Sequence, residues 1–265
     1  MSRRVLYGFW LGLVPFALTS AIALSALLQQ RYENSLDNIL LRADAYQPRF
    51  DVLRHFVHTH SRHVPDGEYQ LLVGDAKAIT SAIMDYAEGR RSEPPHLICG
   101  ARAHVLVDLY RRLGHRARLV FVFDTDESDM SAHTFVDVFN PSTRKWESED
   151  PTYDIHWREV LSTNRTSLFD SAEHIGAIEP CGPTKCGWDI ISDEGNSVED
   201  LRDLIDVVSV ANDGENFQST RFTSRAKLDK VLSFHGRTGR FCDIMKGRCN
   251  SDEVVQVAAA AFPAR

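Results

Sequence analysis

The sequence has no excess of positive charge, no long run of like charges, no low-complexity tract and no internal repeat. Its 265 residues include 30 basic and 37 acidic side chains, for a net charge of −7. An acidic domain is poorly suited to polyanions, so we expect no nucleic acid among the partners. The apolar fraction of 43% suffices for one core of about 200 residues with a small appendage.

Cysteine is also scarce, with five residues in the chain. Four lie in the C-terminal part as two close pairs, Cys181 with Cys186 and Cys242 with Cys249, and Cys99 is left over. Outside the cytoplasm we expect the four to form two disulfides and the odd cysteine to be a reactive thiol. Three pairings are possible, and we prefer the local one. A zinc site is the alternative, but the four and six intervening residues differ from the short spacing of zinc knuckles, so we expect no metal.

One stretch is long and uncharged, Val5 to Leu28 near the N-terminus. It exceeds the roughly 20 residues that a membrane-spanning helix needs, and it has no polar face, which disfavours a buried helix of a soluble protein. The positive-inside rule keeps the two arginines of residues 1–4 in the cytoplasm. We therefore expect a cytoplasmic tail at 1–4, a transmembrane signal anchor at 5–28 and a periplasmic or other extracytoplasmic domain. Ala21-Ile22-Ala23 leaves the alternative of a cleaved signal peptide and a secreted protein.

Downstream of the anchor, we expect a helical juxtamembrane connection at 29–66, a core domain at 67–154 and a C-terminal elaboration at 155–265. Helical spacing of apolar residues is present at 75–87 and at 198–210.

Four histidines cluster at the end of the predicted connection, His55, His58, His60 and His63. Successive residues of a helix are rotated by about 100°, so one helix would not aim all four at a single metal ion. We therefore expect surface or capping roles for them.

Cys99 directly precedes a helical pattern. Apolar residues then recur at helical spacing, namely Ala103, Leu106, Val107, Tyr110 and Leu113. Gly114 fits a helix stop. Cys99 is thus predicted at the N-terminus of a helix, where unpaired N–H groups and the positive end of the dipole favour a thiolate. The backbone N–H groups of Cys99 and Gly100 are candidates for an oxyanion hole.

An imidazole and a carboxylate follow in strand-like segments. A β-rich run at 117–123 precedes a strand pattern that carries His133, and a short strand around Trp146 leads to Asp150. Adjacent strands lie about 5 Å apart, so His133 and Asp150 can meet. Asp137 is a rival acid on the same strand and face as His133, but it lies four residues along the strand, about 13 Å away, and we prefer Asp150.

The segment from Cys99 to Thr152 resembles the transglutaminase-like superfamily, whose fold is papain-like. In that family a Cys opens a helix that ends in Leu-Gly before a basic strand, a His-x-aromatic-x-acid-Val strand follows, and a Trp precedes Asp-Pro. The matching residues are Cys99, Leu113-Gly114 with Arg116 and Arg118, His133-x-Phe135-x-Asp137-Val138, and Trp146 ahead of Asp150-Pro151. Leu97, Phe135 and Asp137 replace residues common in the family, and these changes bear on the substrate pocket more than on the triad.

The resemblance implies that Cys99 is the nucleophile, His133 the base and Asp150 the acid that orients the base, without a cofactor. It implies an α+β fold in which the catalytic helix packs on an antiparallel sheet, here preceded by one transmembrane helix as in a bacterial membrane-anchored type. We then expect an envelope-located acyl-transfer enzyme that hydrolyses or transamidates amides or peptides through a Cys99 thioester. The alternative is a catalytically idle module that binds a partner at the membrane surface.

Overall fold

The computed structural model describes residues 49–64, 76–124, 132–211 and 217–224, together with residue 226 and isolated residues between 23 and 39. Its contacts divide the chain into Met1–Arg49 and Phe50–Arg265, and the fold is that of the second unit. Within the described ranges, no helix combines the length and the apolar character that membrane crossing requires. Most of the predicted anchor at 5–28 lies outside those ranges.

The described residues of the second unit form helices around one large antiparallel sheet. The helices are α1 (Arg49–Thr59), α2 (Ala76–Ala87), α3 (Cys99–Arg112) and the short α4 (Val198–Asp203). Two short strands, β1 (Arg62–His63) and β2 (His96–Leu97), pair in parallel apart from the large sheet. The sheet contains β3 (Ala117–Phe123), β4 (Ala132–Asn140), β5 (Lys145–Asp150), β6 (Ile155–Glu159), β7 (Ile178–Cys181), β8 (Val207–Ala211) and β9 (Phe217–Phe222). Its order is β7-β6-β5-β4-β3-β8-β9.

Helix α3 packs on β3 and β4, as the sequence predicted. The stripe residues from Ala103 to Tyr110 are buried, with Leu106 and Tyr110 fully inaccessible to solvent, and Leu113 is partly exposed. Gly114 follows the helix with φ +79°, a left-handed conformation that glycine adopts without a steric penalty. The class is therefore α+β, with a helix packed on an antiparallel sheet.

The central strand β4 is covered on both faces. Residues 133–138 are all buried, although alternate side chains of a strand point to opposite faces. One face meets α3, and a core cluster covers the other. That cluster includes Val120, Phe135, Trp157, Leu168, Val198 and Leu201. Because β4 is enclosed, the polar side chains it carries have to find partners inside the protein.

Helix α1 packs as part of the unit. Its side chains Phe50, Leu53, Phe56 and Val57 are buried, and the Tyr110 hydroxyl donates a hydrogen bond to the Phe50 carbonyl at 3.2 Å. The helix lies within the segment predicted as a juxtamembrane connection. The predicted domain limits stay predictions, but this part of the connection belongs to the packed core.

The segment after residue 154 supplies four strands of the same sheet. The helix predicted at 198–210 ends at Asp203, and residues Val207–Ala211 form β8 instead. A β-branched run suits a strand, and β8 pairs antiparallel with β3. Tertiary pairing therefore overrides the apparent helical spacing in the second half of that segment.

The predicted local disulfide joins Cys181 and Cys186. These two sulfurs are bonded to each other and are not free to bind zinc as thiolates. The second predicted pair, Cys242 with Cys249, lies outside the described residues.

Candidate active site

Cys99 is the first residue of helix α3. Ile98 before it is extended, with φ −77° and ψ 163°, so the helical turn starts at the cysteine. The backbone N–H groups of Cys99 and Gly100 therefore lie in the first turn, where α-helical geometry supplies no intrahelical acceptor. Among the described cysteines Cys99 has the free thiol, and the residue is partly exposed. The arrangement places a free thiol beside backbone N–H donors.

His133 and Asp150 meet across neighbouring strands. Val136 of β4 pairs with Glu149 of β5, which places Asp150 diagonally opposite His133 on the same face of the sheet. His133 Nε2 lies 2.7 Å from Asp150 Oδ2. Asp150 Oδ1 accepts a hydrogen bond from the Thr152 backbone N–H at 2.8 Å. Both side chains are buried, so the carboxylate is held in a fixed orientation against the imidazole.

His133 links this carboxylate to the thiol. Its Nε2 faces Asp150, and the ring also hydrogen-bonds Cys99, which leaves Nδ1 as the nitrogen that faces the sulfur. Tyr153 packs edge-on against the ring, with centroids 5.2 Å apart. The structure therefore brings together the three residues predicted as a triad, in the order sulfur, imidazole, carboxylate. Their catalytic roles stay predictions.

The shifted pKa values of Cys99 and His133 favour a charged thiolate and a charged imidazolium. Burial raises the pKa of the Cys99 thiol, but hydrogen bonds with the side chains of His133 and His63, and the charge of His133, lower it to about 6. Burial lowers the pKa of His133, but the Asp150 carboxylate and the hydrogen bond with Cys99 raise it to about 10. At neutral pH a thiolate beside an imidazolium is then the favoured state.

Asp137, the rival acid, is engaged elsewhere. Its Oδ2 accepts hydrogen bonds from Arg118 Nη2 at 2.7 Å and from Ser167 Oγ at 2.7 Å. Its Oδ1 accepts from Ser148 Oγ at 2.6 Å. This carboxylate is an internal ion pair with its acceptor sites filled, and the geometry agrees with the preference for Asp150.

His63 is a neighbour of the thiol that the sequence does not reveal. Its membership of the histidine cluster predicts a surface or capping role instead. In the structure His63 hydrogen-bonds Cys99 through its side chain. His58 is also buried, and its Nδ1 lies 3.1 Å from the Pro151 carbonyl oxygen. Nothing in the local sequence signals the position of His63, because strand β1 is two residues long.

A buried arginine joins the segments around the site. Arg102 lies one turn after Cys99 on α3 and is fully buried. Its guanidinium forms a bidentate pair with Glu194, with N–O distances of 2.8 and 2.9 Å. It also donates to the Thr152 carbonyl at 3.3 Å and to the Ser61 carbonyl at 2.8 Å. The helix that begins at Cys99 is thereby fastened to the Asp150 turn and to the segment that leads into His63.

A single cluster of candidate metal ligands occurs in the described part of the chain. It consists of Glu179, Cys181 and Cys186, whose ligand atoms lie within 4.8 Å of one another. The two cysteines form a disulfide, and Arg158 Nη2 donates to Glu179 Oε1 at 2.7 Å. The donor set therefore does not fit a metal ion in this oxidation state.

Comparisons with known proteins give little further information. No family model matches the chain, and no curated protein matches it. Among solved structures, one similar chain is described as a "putative cysteine protease" from Cytophaga hutchinsonii, at 12% sequence identity and a TM-score of 0.32. The alignment covers 57% of this chain and 47% of that one, so this chain spans about half the length of that protein. At this similarity the activity of the neighbour does not bear on the site.

Proposed function

We propose that this protein is a cysteine-dependent acyl-transfer enzyme of the transglutaminase-like kind. The observation that carries the proposal is the hydrogen-bonded series Cys99, His133, Asp150, with a partly exposed cysteine residue at one end and a fully buried carboxylate at the other. A nucleophile, a base and a group that orients the base are the parts that thiol acyl transfer needs.

The substrate class is an amide or peptide carbonyl. The Cys99 thiolate attacks the carbonyl carbon, and the carbonyl oxygen becomes an oxyanion that the N–H groups of Cys99 and Gly100 stabilise. The His133 imidazolium gives its Nδ1 proton to the leaving nitrogen as the C–N bond breaks, which leaves a thioester and a neutral imidazole. Water or an amine then attacks the thioester while His133 accepts its proton, and the acid or the new amide is released with the thiolate restored. Asp150 keeps the ring oriented throughout.

An idle binding module is the alternative for the same fold. A module that only binds has no need for an activated sulfur, whereas here hydrogen bonds with His133 and His63 lower the pKa of the Cys99 thiol to about 6, and the residue is partly exposed. These features favour the enzyme.

We propose further that the domain acts in the bacterial envelope, held by a transmembrane anchor at 5–28. The uncharged run of the sequence and the Cys181–Cys186 disulfide support this location, because structural disulfides persist in oxidising compartments. Full-length protein should stay with membranes after an alkaline wash and be digested by protease added to spheroplasts. Protein recovered in the soluble periplasmic fraction would indicate cleavage of the segment, and protease-resistant cytoplasmic protein would contradict export.

The reaction is tested with p-nitrophenyl acetate as an activated acyl donor. The wild-type protein should release a burst of one p-nitrophenol per molecule and gain one acetyl group at Cys99, detected by mass spectrometry of the intact protein. Cys99→Ala should abolish the burst, and His133→Ala should slow it by about 10²–10⁴-fold. A wild-type protein without a burst, or a burst that persists in Cys99→Ala, would contradict the enzyme and favour the binding module.

A further inference from the structure

His63 is the last residue of strand β1, and its side chain lies beside the Cys99 thiol. It pairs with Leu97 in the parallel ladder of β1 and β2, and the Val64 N–H donates to the Leu97 carbonyl at 3.0 Å. Ile98 continues the extended conformation, so Cys99 lies two residues beyond Leu97 and on the same side of the ribbon. This register places His63 and Cys99 on the same side of the ribbon, which agrees with the side-chain hydrogen bond from His63 that lowers the pKa of the thiol.

The backbone of His63 is fastened to the helix that carries the nucleophile. Its N–H donates to Glu194 Oε1 at 2.8 Å. Glu194 is itself held by both terminal nitrogens of Arg102, at 2.8 and 2.9 Å. Arg102 also binds Ser61, two residues before His63, through Nε to Ser61 Oγ at 2.9 Å. A group fixed in this way is preorganised, and a preorganised donor stabilises developing charge without reorganisation.

Two imidazoles therefore contact one sulfur, and they differ in what else they bind. His133 has a buried carboxylate behind it, which suits the proton transfers. His63 has its backbone held by a carboxylate and is partly exposed, as expected of a side chain that reaches the substrate side of the thiol. When the thiolate attacks, its negative charge moves to the carbonyl oxygen, and the sulfur and this oxygen are then bonded to the same carbon atom. A donor that binds the sulfur before attack is then next to the oxyanion after attack.

We propose that His63 is a further catalytic residue of this site: its side-chain N–H binds the Cys99 thiolate in the free enzyme and the oxyanion in the tetrahedral intermediate. It complements the backbone N–H groups of Cys99 and Gly100, which approach from the helix. Glu194 is its positioning residue. The proposal rests on the proposed acyl transfer and names the donor that completes its oxyanion hole.

Two reactions of the same thiol separate this role from others. Alkylation by iodoacetamide needs the thiolate but forms no oxyanion, whereas acylation by p-nitrophenyl acetate needs both. His63→Ala should therefore slow acylation by about 10²–10³-fold. The factor by which it slows alkylation should be at least about tenfold smaller. His63→Gln keeps a side-chain N–H and should restore much of the acylation rate. His63→Phe keeps a ring without an N–H and should be as slow as His63→Ala. His174→Ala, at an exposed imidazole of the 3-10 turn Ala172–Ala177, serves as the control.

The outcomes distinguish this proposal from the proposed function. If wild-type protein acylates and His133→Ala slows the reaction, but His63→Ala acylates like wild-type, the oxyanion role is overturned while the enzyme stands. Equal losses of acylation and alkylation in His63→Ala, or rescue by His63→Phe, would also overturn it, since the side chain would then set thiol ionisation or fill space. Failure of the wild-type protein to acylate at all would overturn both.

Discussion

Two adjacent acids of strand β5, Glu149 and Asp150, are both fully buried but face opposite sides of the sheet. Glu149 meets two arginines: it pairs with Arg54, and its Oε1 lies 2.5 Å from Arg165 Nη1. Asp150 meets an imidazole, with Oδ2 2.7 Å from His133 Nε2. The same strand thus carries one carboxylate into an arginine network and the next into the candidate active site.

The difference lies in what the partners can do with a proton. A guanidinium stays charged under all ordinary conditions, so a carboxylate between two of them forms a closed ion-pair network. An imidazole and a thiol can both gain or lose a proton in the ordinary pH range, because their environment shifts their pKa values. Burial of charge alone therefore does not mark a functional site. The mark is a titratable partner that is itself hydrogen-bonded to a reactive group.

The two regions are connected through the turn that follows Asp150. Asp154 in this turn has φ +54°, in the left-handed region. Its Oδ1 accepts from Arg54 Nε at 2.9 Å, and its Oδ2 lies 2.7 Å from His55 Nδ1. Helix α1 thus fixes the turn from the arginine side, and we infer that the network contributes to the site by holding this turn.

Among substitutions in the two regions, Asp150→Asn should cause the largest loss of activity. Loss of this carboxylate removes the group that raises the pKa of His133 and orients its ring, so acylation by p-nitrophenyl acetate should slow by about 10²–10⁴-fold. Asp137→Asn is the matched control, at a buried acid on the same face of the sheet, and its folded fraction should acylate at close to the wild-type rate. A larger loss in Asp137→Asn than in Asp150→Asn would reverse the assignment of the two acids.

A substitution in the arginine network around Glu149 is expected to lower the stability of the protein rather than its activity. Arg165→Met leaves Glu149 and Asp51 short of a partner, and breaking a buried ion pair costs about 3–5 kcal/mol. Urea denaturation should show this decrease in the free energy of unfolding, while acylation by the folded protein is retained. Arg90→Met is the control, since Arg90 pairs with Asp85 at the surface, where such pairs contribute about 0–1 kcal/mol. Equal losses from the two substitutions would show that the buried network is not the stronger one.

The pH dependence of Cys99 alkylation should sharpen the contrast further. In the wild-type protein the rate should rise with pH through about 6, and in His133→Ala the midpoint should move towards the free thiol value of about 8.5. Arg165→Met should leave the midpoint unchanged. A wild-type midpoint near that of a free thiol would remove the distinction between the two regions.

The shifted pKa values of Cys99 and His133 also predict how the stability of the protein changes with pH. The pKa of Cys99 is lowered on folding, so its contribution is present at high pH and is lost as pH falls through about 6. The pKa of His133 is raised, so its contribution is present at low pH and is lost as pH rises through about 10. Wild-type minus Cys99→Ala stability should therefore be greatest between these pH values, and a flat difference from pH 5 to 10 would argue against the ion pair.

The smallest effect is expected at the disulfide, which belongs to neither region. Cys181 and Cys186 are separated by five positions, and closing so short a loop stabilises by about 2 kcal/mol in the chain-entropy model. The double substitution Cys181→Ala with Cys186→Ala should lower the melting temperature by a few degrees. Reductant should lower the wild-type melting temperature similarly and leave the double variant unaffected. Slower acylation by the folded double variant would instead show that the disulfide contributes to the site.

The parts of the fold with strong local patterns were predicted closely. Helix α3 begins at Cys99, and strand β3 covers 117–123 as predicted, because a full apolar stripe and an unbroken β-rich run each favour one conformation. Prediction differed where local preference and tertiary pairing compete. Residues 207–211 look helical in spacing but pair with β3, and the pairing partner lies far away in the sequence.

The chemical groups of the candidate site and their order can be read from the amino-acid sequence, since Cys99, His133 and Asp150 each lie at the edge of a strongly patterned local element. Which of these groups meet depends on the tertiary fold. Strand register sets Asp150 rather than Asp137 against His133, and the two-residue strand β1 sets His63 against Cys99. The Arg102–Glu194 pair joins residues 92 positions apart. Such contacts depend on strand register and on long-range packing, which have no local pattern in the chain.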